Sequence, residues 1–201
     1  MYSKTKVSGL ALALVFLLGA LTILTPKSIY AAGDDTNKET TATVTFEAGT
    51  LSLVNVATFD FGEQEIAAAS ETYSAISVDP AIRVSDLRGN GNGWDLNVAL
   101  SEFLHEESSK ELSGAFLTLT GTSISGINGT LSNAPTSTST ESLVLASDGE
   151  QNSIFVAEAD AGMGVWEINT ELTDAELTVL PGTARTGNYE ADLTWTLQTT
   201  P

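Results

Sequence analysis

The sequence contains no cysteine. This absence excludes disulfide bonds, thiol catalysis and zinc sites built from thiolates. With 201 residues, of which 42% are hydrophobic, the chain is long enough to bury one sizeable core without cross-links. We therefore expect one folded domain whose stability rests on hydrophobic burial.

Basic residues are also scarce, since eight lysines and arginines stand against 26 acidic residues. Lys4, Lys6 and Lys27 lie in an N-terminal segment that contains no acid. Without that segment the chain carries 8 − 3 = 5 bases against 26 acids, a net charge of −21. A field of that sign repels phosphates, which makes nucleic acids and anionic membrane surfaces poor partners. Most of the acids are expected on a solvated surface.

Motifs of common enzyme and nucleotide sites are absent. The chain has no Gly-x-Ser-x-Gly, no phosphate-binding glycine-rich loop ending in lysine, no His-Glu-x-x-His and no EF-hand loop. A glycosidase built on two carboxylates leaves no linear signature and has no positive support in this sequence. We expect neither enzymatic activity nor a cofactor.

Few single residues suggest a chemical role. His105 is the only histidine, and as a general base it would need a partner within hydrogen-bonding reach. In this polar segment a surface position is the expected one. Calcium requires several oxygen ligands, and Asp86, Asp95 and Asp192 do not have ligand spacing. We therefore expect no metal site.

The N-terminal segment has the parts of a signal peptide. Lys4 and Lys6 precede an apolar run from Leu10 to Leu24, and small residues follow near position 32. A retained membrane anchor is the alternative, but the run is about fifteen residues long and a spanning helix needs about 20. The predicted organisation is a signal peptide at 1–32, a disordered lead-in at 33–41 and a folded domain at 42–201.

From residue 42 onward, apolar and polar residues alternate with the period of two that is typical of β-strands. Gly, Pro, Asn and Asp separate these stretches, which recur about every 8 to 15 residues. The spacing predicts an all-β fold, an antiparallel β-sandwich of immunoglobulin-like architecture, with a β-barrel as the alternative. The local predictions are a hairpin from 42–46 and 51–56, a short helix or ordered loop at 101–111, and a surface excursion at 121–141.

Two strands carry the sequence Trp-x-Leu. Trp94 and Leu96 share a face in the first strand, and Trp195 and Leu197 share a face in the second, so we expect the strands to be partners. Four motifs, two of which contain these strands, resemble the WxL domain, a cell-wall-attachment module of secreted proteins in Gram-positive bacteria. The motifs are Phe-Asp-Phe-Gly at 59–62, the Asn-Gly-rich stretch 85–96, Gly-Met-Gly at 162–164 before Trp166, and the terminal stretch 189–201.

The resemblance implies an extracellular protein at the cell surface that binds peptidoglycan non-covalently. It also implies other exported surface proteins as partners in assembly. The chain has no Leu-Pro-x-Thr-Gly sorting signal, which agrees with non-covalent attachment. The alternative function is a structural subunit whose main contacts are those exported proteins. We expect no nucleic-acid partner and no membrane insertion after removal of the signal peptide.

The candidate site residues follow from the same motifs. Trp94 and Trp195 each share a strand face with aliphatic residues, which favours core packing over a role as a flat platform for sugars. Asp86 and Arg88, two residues apart, either support the approach to the Asn-Gly loop or form an exposed pair of little energetic value. Further supporting positions are Asp95, Trp166 and Tyr189.

The predicted signal peptide gives the first testable prediction. The protein released from cells is expected to begin near Ala32 or Gly33, because a signal peptidase cleaves after a small-residue site. Intact-mass measurement of the released protein checks this. A released species that retains residues 1–24 would contradict it.

Overall fold

A computed structural model describes residues 37–120, 123–138, 142–169 and 174–200. The predicted signal peptide and the first part of the lead-in lie outside the described residues. Residues 37–44 are exposed and have no regular secondary structure, and all the described strands lie in the compact unit that begins at Thr45. In chain order the strands are β1 (Leu51–Asn55), β2 (Thr58–Asp60), β3 (Glu71–Ser74), β4 (Ser77–Asp79), β5 (Ile82–Asp86), β6 (Trp94–Leu100), β7 (Leu104–His105), β8 (Phe116–Thr120), β9 (Ser123–Ile127), β10 (Thr136–Ser137), β11 (Ser142–Ala146), β12 (Asn152–Ala157), β13 (Gly164–Asn169), β14 (Ala175–Val179), β15 (Tyr189–Glu190) and β16 (Leu193–Thr199).

The strands form three four-stranded sheets and two short ribbons. Sheet I has the order β1-β5-β13-β9, sheet II the order β10-β12-β6-β16, and sheet III the order β11-β8-β14-β3. The ribbons are β15-β7 and β2-β4, and the strand pairs within the sheets and ribbons are antiparallel. No sheet closes on itself within the described ranges, so the fold is the predicted all-β sandwich and the barrel alternative is wrong.

The two Trp-x-Leu strands are neighbours in sheet II, as their pattern predicts. Strand β16 pairs along its whole length with β6, with Leu197 opposite Leu96 and Trp195 opposite Val98. Residues directly opposite each other in an antiparallel pair point to the same side of the sheet. The apolar faces of both strands therefore point into the sandwich.

The Trp94 side chain is fixed at the centre of the core. It is 0% exposed, and its indole Nε1–H donates a hydrogen bond to the carbonyl oxygen of Gly162 at 3.0 Å. At Gly162 φ is +70°, and a Cβ built there would lie 2.4 Å from Ala157 Cβ and 2.6 Å from Trp94 Nε1. Glycine is therefore required beside the indole, because any side chain would occupy the space of the ring.

One core cluster draws its side chains from all three sheets. Strand β6 alternates buried apolar residues with the partly exposed Asp95 and Asn97, so its pattern matches its position between two neighbours. The side chains of the cluster that are less than 2% exposed are Ile82, Val84, Trp94, Leu96, Val98, Leu100, Leu117, Leu145, Phe155, Ala157, Ile168 and Ala175.

Two local predictions are wrong, and a third, for residues 101–111, is resolved in favour of the ordered loop that was one of its two alternatives. Residues 42–46 do not form the first strand of a hairpin, since β1 pairs with the distant β5 and Phe46 is 87% exposed. Residues 101–111 contain no helix but an ordered loop with the short strand β7. The described parts of 121–141 are not simply a surface excursion, because β9 and β10 pair there as sheet edges. For residues 42–46 and 121–141 tertiary pairing overrode local composition.

The packing at Gly162 gives a prediction with a matched control. Gly162→Ala and Gly182→Ala both place a side chain at positive φ, +70° and +78°, which costs about 1–2 kcal/mol in either variant. At Gly182 a Cβ meets nothing within 4 Å. Gly162→Ala is therefore expected to lower the free energy of unfolding by about 1–3 kcal/mol more than Gly182→Ala, because it also overpacks the core. Urea unfolding measures the difference, and equal losses would show that Trp94 is not held as described.

Candidate functional site

A groove of about 1230 Å³ opens beside the second Trp-x-Leu strand. Its apolar lining includes Leu100 from sheet II and Leu117 and Leu177 from sheet III, so the space lies between these two sheets. Strand β16 ends sheet II and strand β3 ends sheet III, and residues of both line the groove. Most of the remaining lining comes from two continuous segments, 56–67 and 184–193. The groove thus lies at the side of the sandwich where, among the described residues, no further strand joins these two sheets.

Trp195 lines this groove and differs from the other two tryptophans. The indole N–H of Trp94 is bonded to Gly162, and that of Trp166 donates to the carbonyl oxygen of Met163 at 3.2 Å. The Trp195 ring is half-buried, and its Nε1 is shielded from solvent without a hydrogen-bond partner in the described part of the chain. A buried unsatisfied donor costs about 1–3 kcal/mol. An acceptor that formed a hydrogen bond with this N–H would recover that free energy.

Asp86 and Arg88 form a two-pronged ion pair in the segment just before β6, which we call the Asp86–Arg88 lock. Arg88 donates to both carboxylate oxygens of Asp86, from Nε at 2.9 Å and from Nη2 at 2.8 Å. The same guanidinium donates to the carbonyl oxygens of Asn92 at 2.8 Å and Gly93 at 3.0 Å. Asp86 is 2% exposed, so the exposed-pair interpretation is wrong for this residue. The hydrogen bond to Asp86 raises the pKa of Arg88, although partial burial acts in the opposite direction. The bonds from the guanidinium to the carbonyls of Asn92 and Gly93 hold the loop that leads to Trp94 in place.

A comparison with known protein families identifies the family of this chain. A family model described as the WxL domain, surface cell wall-binding, matches residues 25–201. The chain belongs to the WxL family. Membership makes it a surface domain that binds the cell wall and places it at the cell surface or in the wall. No significant match was found among curated proteins or among solved structures.

In this WxL domain His105 is a buried structural residue and not the predicted surface one. It is 6% exposed, and its Nδ1 accepts from the backbone N–H groups of Glu107 and Ser108, both at 3.2 Å. Its Nε2 lies 3.0 Å from the carbonyl oxygen of Thr186, so these contacts are satisfied together by the neutral tautomer that carries its proton on Nε2. The ring also meets the Tyr189 ring edge-on at a centroid distance of 5.1 Å. His105 therefore ties the 101–111 loop to the segment that lines the groove.

The remaining sequence-predicted residues lie in the core, in the groove or on the outer face of β6. Trp195 and Tyr189 line the groove, and the Tyr189 hydroxyl accepts from the Arg185 backbone N–H at 3.0 Å. Asp95 accepts from the Ser153 hydroxyl at 2.6 Å on the outer face of β6. The residues that lie outside the groove lining are Trp94, Leu96, Leu197, Asp86, Arg88, Asp95 and Trp166.

Sequence reasoning missed the groove itself and two of its aromatic residues. Phe59 and Phe61 were identified only as part of the Phe-Asp-Phe-Gly motif, and Tyr73 and Phe103 were not singled out, although all four line the groove. The Phe-Asp-Phe-Gly motif was the available signal. The described residues contain no group of three or more ligating side chains placed to hold a metal. Among those same residues, no helix is long and apolar enough to cross a membrane.

The Asp86–Arg88 lock predicts unequal effects of two identical substitutions. Arg88→Lys removes the two-pronged contact with a carboxylate that is almost fully buried, so the free energy of unfolding is expected to fall by about 1.5–3 kcal/mol. Arg83→Lys alters the more exposed pair with Glu167 and is expected to cost about 0–1 kcal/mol. Chemical denaturation of both variants checks this. A loss for Arg88→Lys no larger than that for Arg83→Lys would contradict the lock.

Proposed function

We propose that this WxL protein is a secreted, non-enzymatic surface protein that binds peptidoglycan non-covalently through the groove beside Trp195. The observation that carries the proposal is a large groove lined by Trp195, whose indole N–H is shielded from solvent and has no hydrogen-bond partner in the described part of the chain. Family membership supplies the general role, which is cell-wall binding. The groove supplies a place on the molecule where a wall polymer fits.

The chemistry of the lining supports a polymer of sugars and amides. Aromatic side chains from five separate parts of the chain line the groove, and flat apolar rings pack well against sugar faces and aliphatic chains. The indole N–H complements a carbonyl oxygen, a group that peptidoglycan offers both in its acetamido substituents and in its peptides. The aromatic residues concerned are Phe59, Phe61, Tyr73, Phe103, Tyr189 and Trp195.

Electrostatics restricts which wall component is contacted. The chain without its predicted signal peptide has a net charge of 5 − 26 = −21 and is repelled by anionic wall polymers. A contact made through uncharged sugars, amides or amines avoids this repulsion. Peptidoglycan carries such groups at high density, which favours it over the anionic polymers as the binding partner.

A second candidate function is a structural subunit that contacts other exported surface proteins. It is favoured by the outer edge of β16, which has no strand partner in the described part of the chain. An unpaired edge strand is a template for addition of a strand from another protein. Retention by whole walls that keep their proteins, without retention by pure peptidoglycan, would favour this candidate.

Sedimentation with purified sacculi tests the proposed function. The wild-type protein is expected to sediment with sacculi, and Trp195→Phe is expected to bind about threefold to tenfold more weakly. Phenylalanine keeps an aromatic ring but removes the N–H, and one hydrogen bond contributes about 0.5–1.5 kcal/mol. The measured quantity is the dissociation constant from depletion of the supernatant.

Trp166→Phe is the matched control for this experiment. It removes an indole N–H that is already bonded within the protein, at a position outside the groove. Its stability is expected to fall, while the affinity of the folded protein for sacculi stays the same. Circular dichroism confirms that each variant is folded. If the wild-type protein does not bind sacculi, the proposed function is refuted. If folded Trp195→Phe binds as tightly as wild type, the Trp195 contact is refuted.

A further inference from the structure

We infer that the groove selects the amine-bearing peptides of peptidoglycan rather than its glycan strands, an inference that rests on the proposed function. Three features of the groove lead to this occupant. They are the charge around it, the aromatic rings that line it, and the unpaired donor of Trp195.

The charge of the groove lining is negative, and no ion pair among the described residues offsets it. Five carboxylates line the groove, from Asp60, Glu63, Glu65, Glu190 and Asp192, against the single guanidinium of Arg185. The described residues form two ion pairs, Arg83–Glu167 and Arg88–Asp86, and neither uses a groove carboxylate. An ammonium group placed there would lower the mutual repulsion of these carboxylates. A neutral glycan strand would leave that repulsion in place.

Aromatic rings add a second preference for an ammonium. The faces of Trp, Tyr and Phe rings carry partial negative charge and attract cations, most strongly where water is excluded. Trp195, Tyr73 and Tyr189 line the same groove as the carboxylates. One ammonium can therefore interact with both kinds of group.

The Trp195 N–H calls for a second chemical group on the same ligand, besides its ammonium. It needs an acceptor oxygen, because an indole nitrogen can only donate. A chain that carries both amide carbonyls and a free amine is a peptide with a lysine-like side chain or a free α-amine. The volume of about 1230 Å³ suits a segment of such a chain, since pockets for small molecules usually measure about 300–1,000 Å³.

The test compares two preparations of one polymer. Peptidoglycan is stripped of proteins and anionic polymers, and half of it is treated with acetic anhydride, which converts free amines to neutral acetamides. The wild-type protein is expected to bind the untreated polymer about threefold to tenfold more tightly than the acetylated one, because acetylation removes the cation. Dissociation constants come from sedimentation at physiological salt.

A pair of double variants assigns the effect to the groove. Glu190→Gln with Asp192→Asn removes two groove charges and is expected to bring the ratio of the two dissociation constants close to one. Glu150→Gln with Glu158→Gln removes the same number of charges from exposed positions outside the groove lining and is expected to keep the wild-type ratio. The two variants have equal net charge, so a difference between them reflects position.

The outcomes separate this inference from the proposed function. Equal binding of wild type to both preparations overturns the selection of amines but leaves peptidoglycan binding intact. Absence of binding to both preparations overturns the proposed function, and the inference with it. If both double variants lower the ratio of the two dissociation constants equally, the amine effect comes from overall charge, and the role of the groove is overturned.

Discussion

Burial of the Trp94 indole against the backbone of Gly162 is the constraint on which the rest of the sandwich depends. The ring leaves no space for a side chain at 162, and its N–H is bonded to the carbonyl of the same residue. The approach to this tryptophan is fixed by Arg88, which holds Asp86 and the carbonyls of the preceding loop. Strand β6 can then serve as the inner strand on which β12 and β16 pair.

The position of β16 at the end of its sheet gives the second Trp-x-Leu motif a different role from the first. Both tryptophans point to the same side of sheet II, but Trp94 has strands on both sides and Trp195 has a strand on one side. The first is therefore completely enclosed, whereas the second belongs partly to the core and partly to the wall of the groove. An inward-facing residue at an open side of a sandwich can pack against the core and contact a ligand at the same time.

A protein with so few basic residues depends on other contacts for wall attachment. With no more than five bases outside the predicted signal peptide, it has little means of attracting anionic polymers, and its carboxylates repel them. Apolar contact, hydrogen bonding and the attraction of amines remain available. The groove combines these three in one place, because its lining contains aromatic rings, an unpaired N–H and carboxylates.

The sequence by itself determined the all-β class, the sandwich and the partnership of the Trp-x-Leu strands, because a period of two and frequent turn residues are local properties. It also carried the family motifs. It could not determine which strand β1 would pair with, since the alternation at 42–46 fits a hairpin with 51–56, whereas β1 pairs with the distant β5. Burial of His105 depends on a carbonyl 81 residues away, which no local pattern reveals. The groove was decided only by tertiary structure, because it exists where two sheets end beside each other and two loops complete its walls.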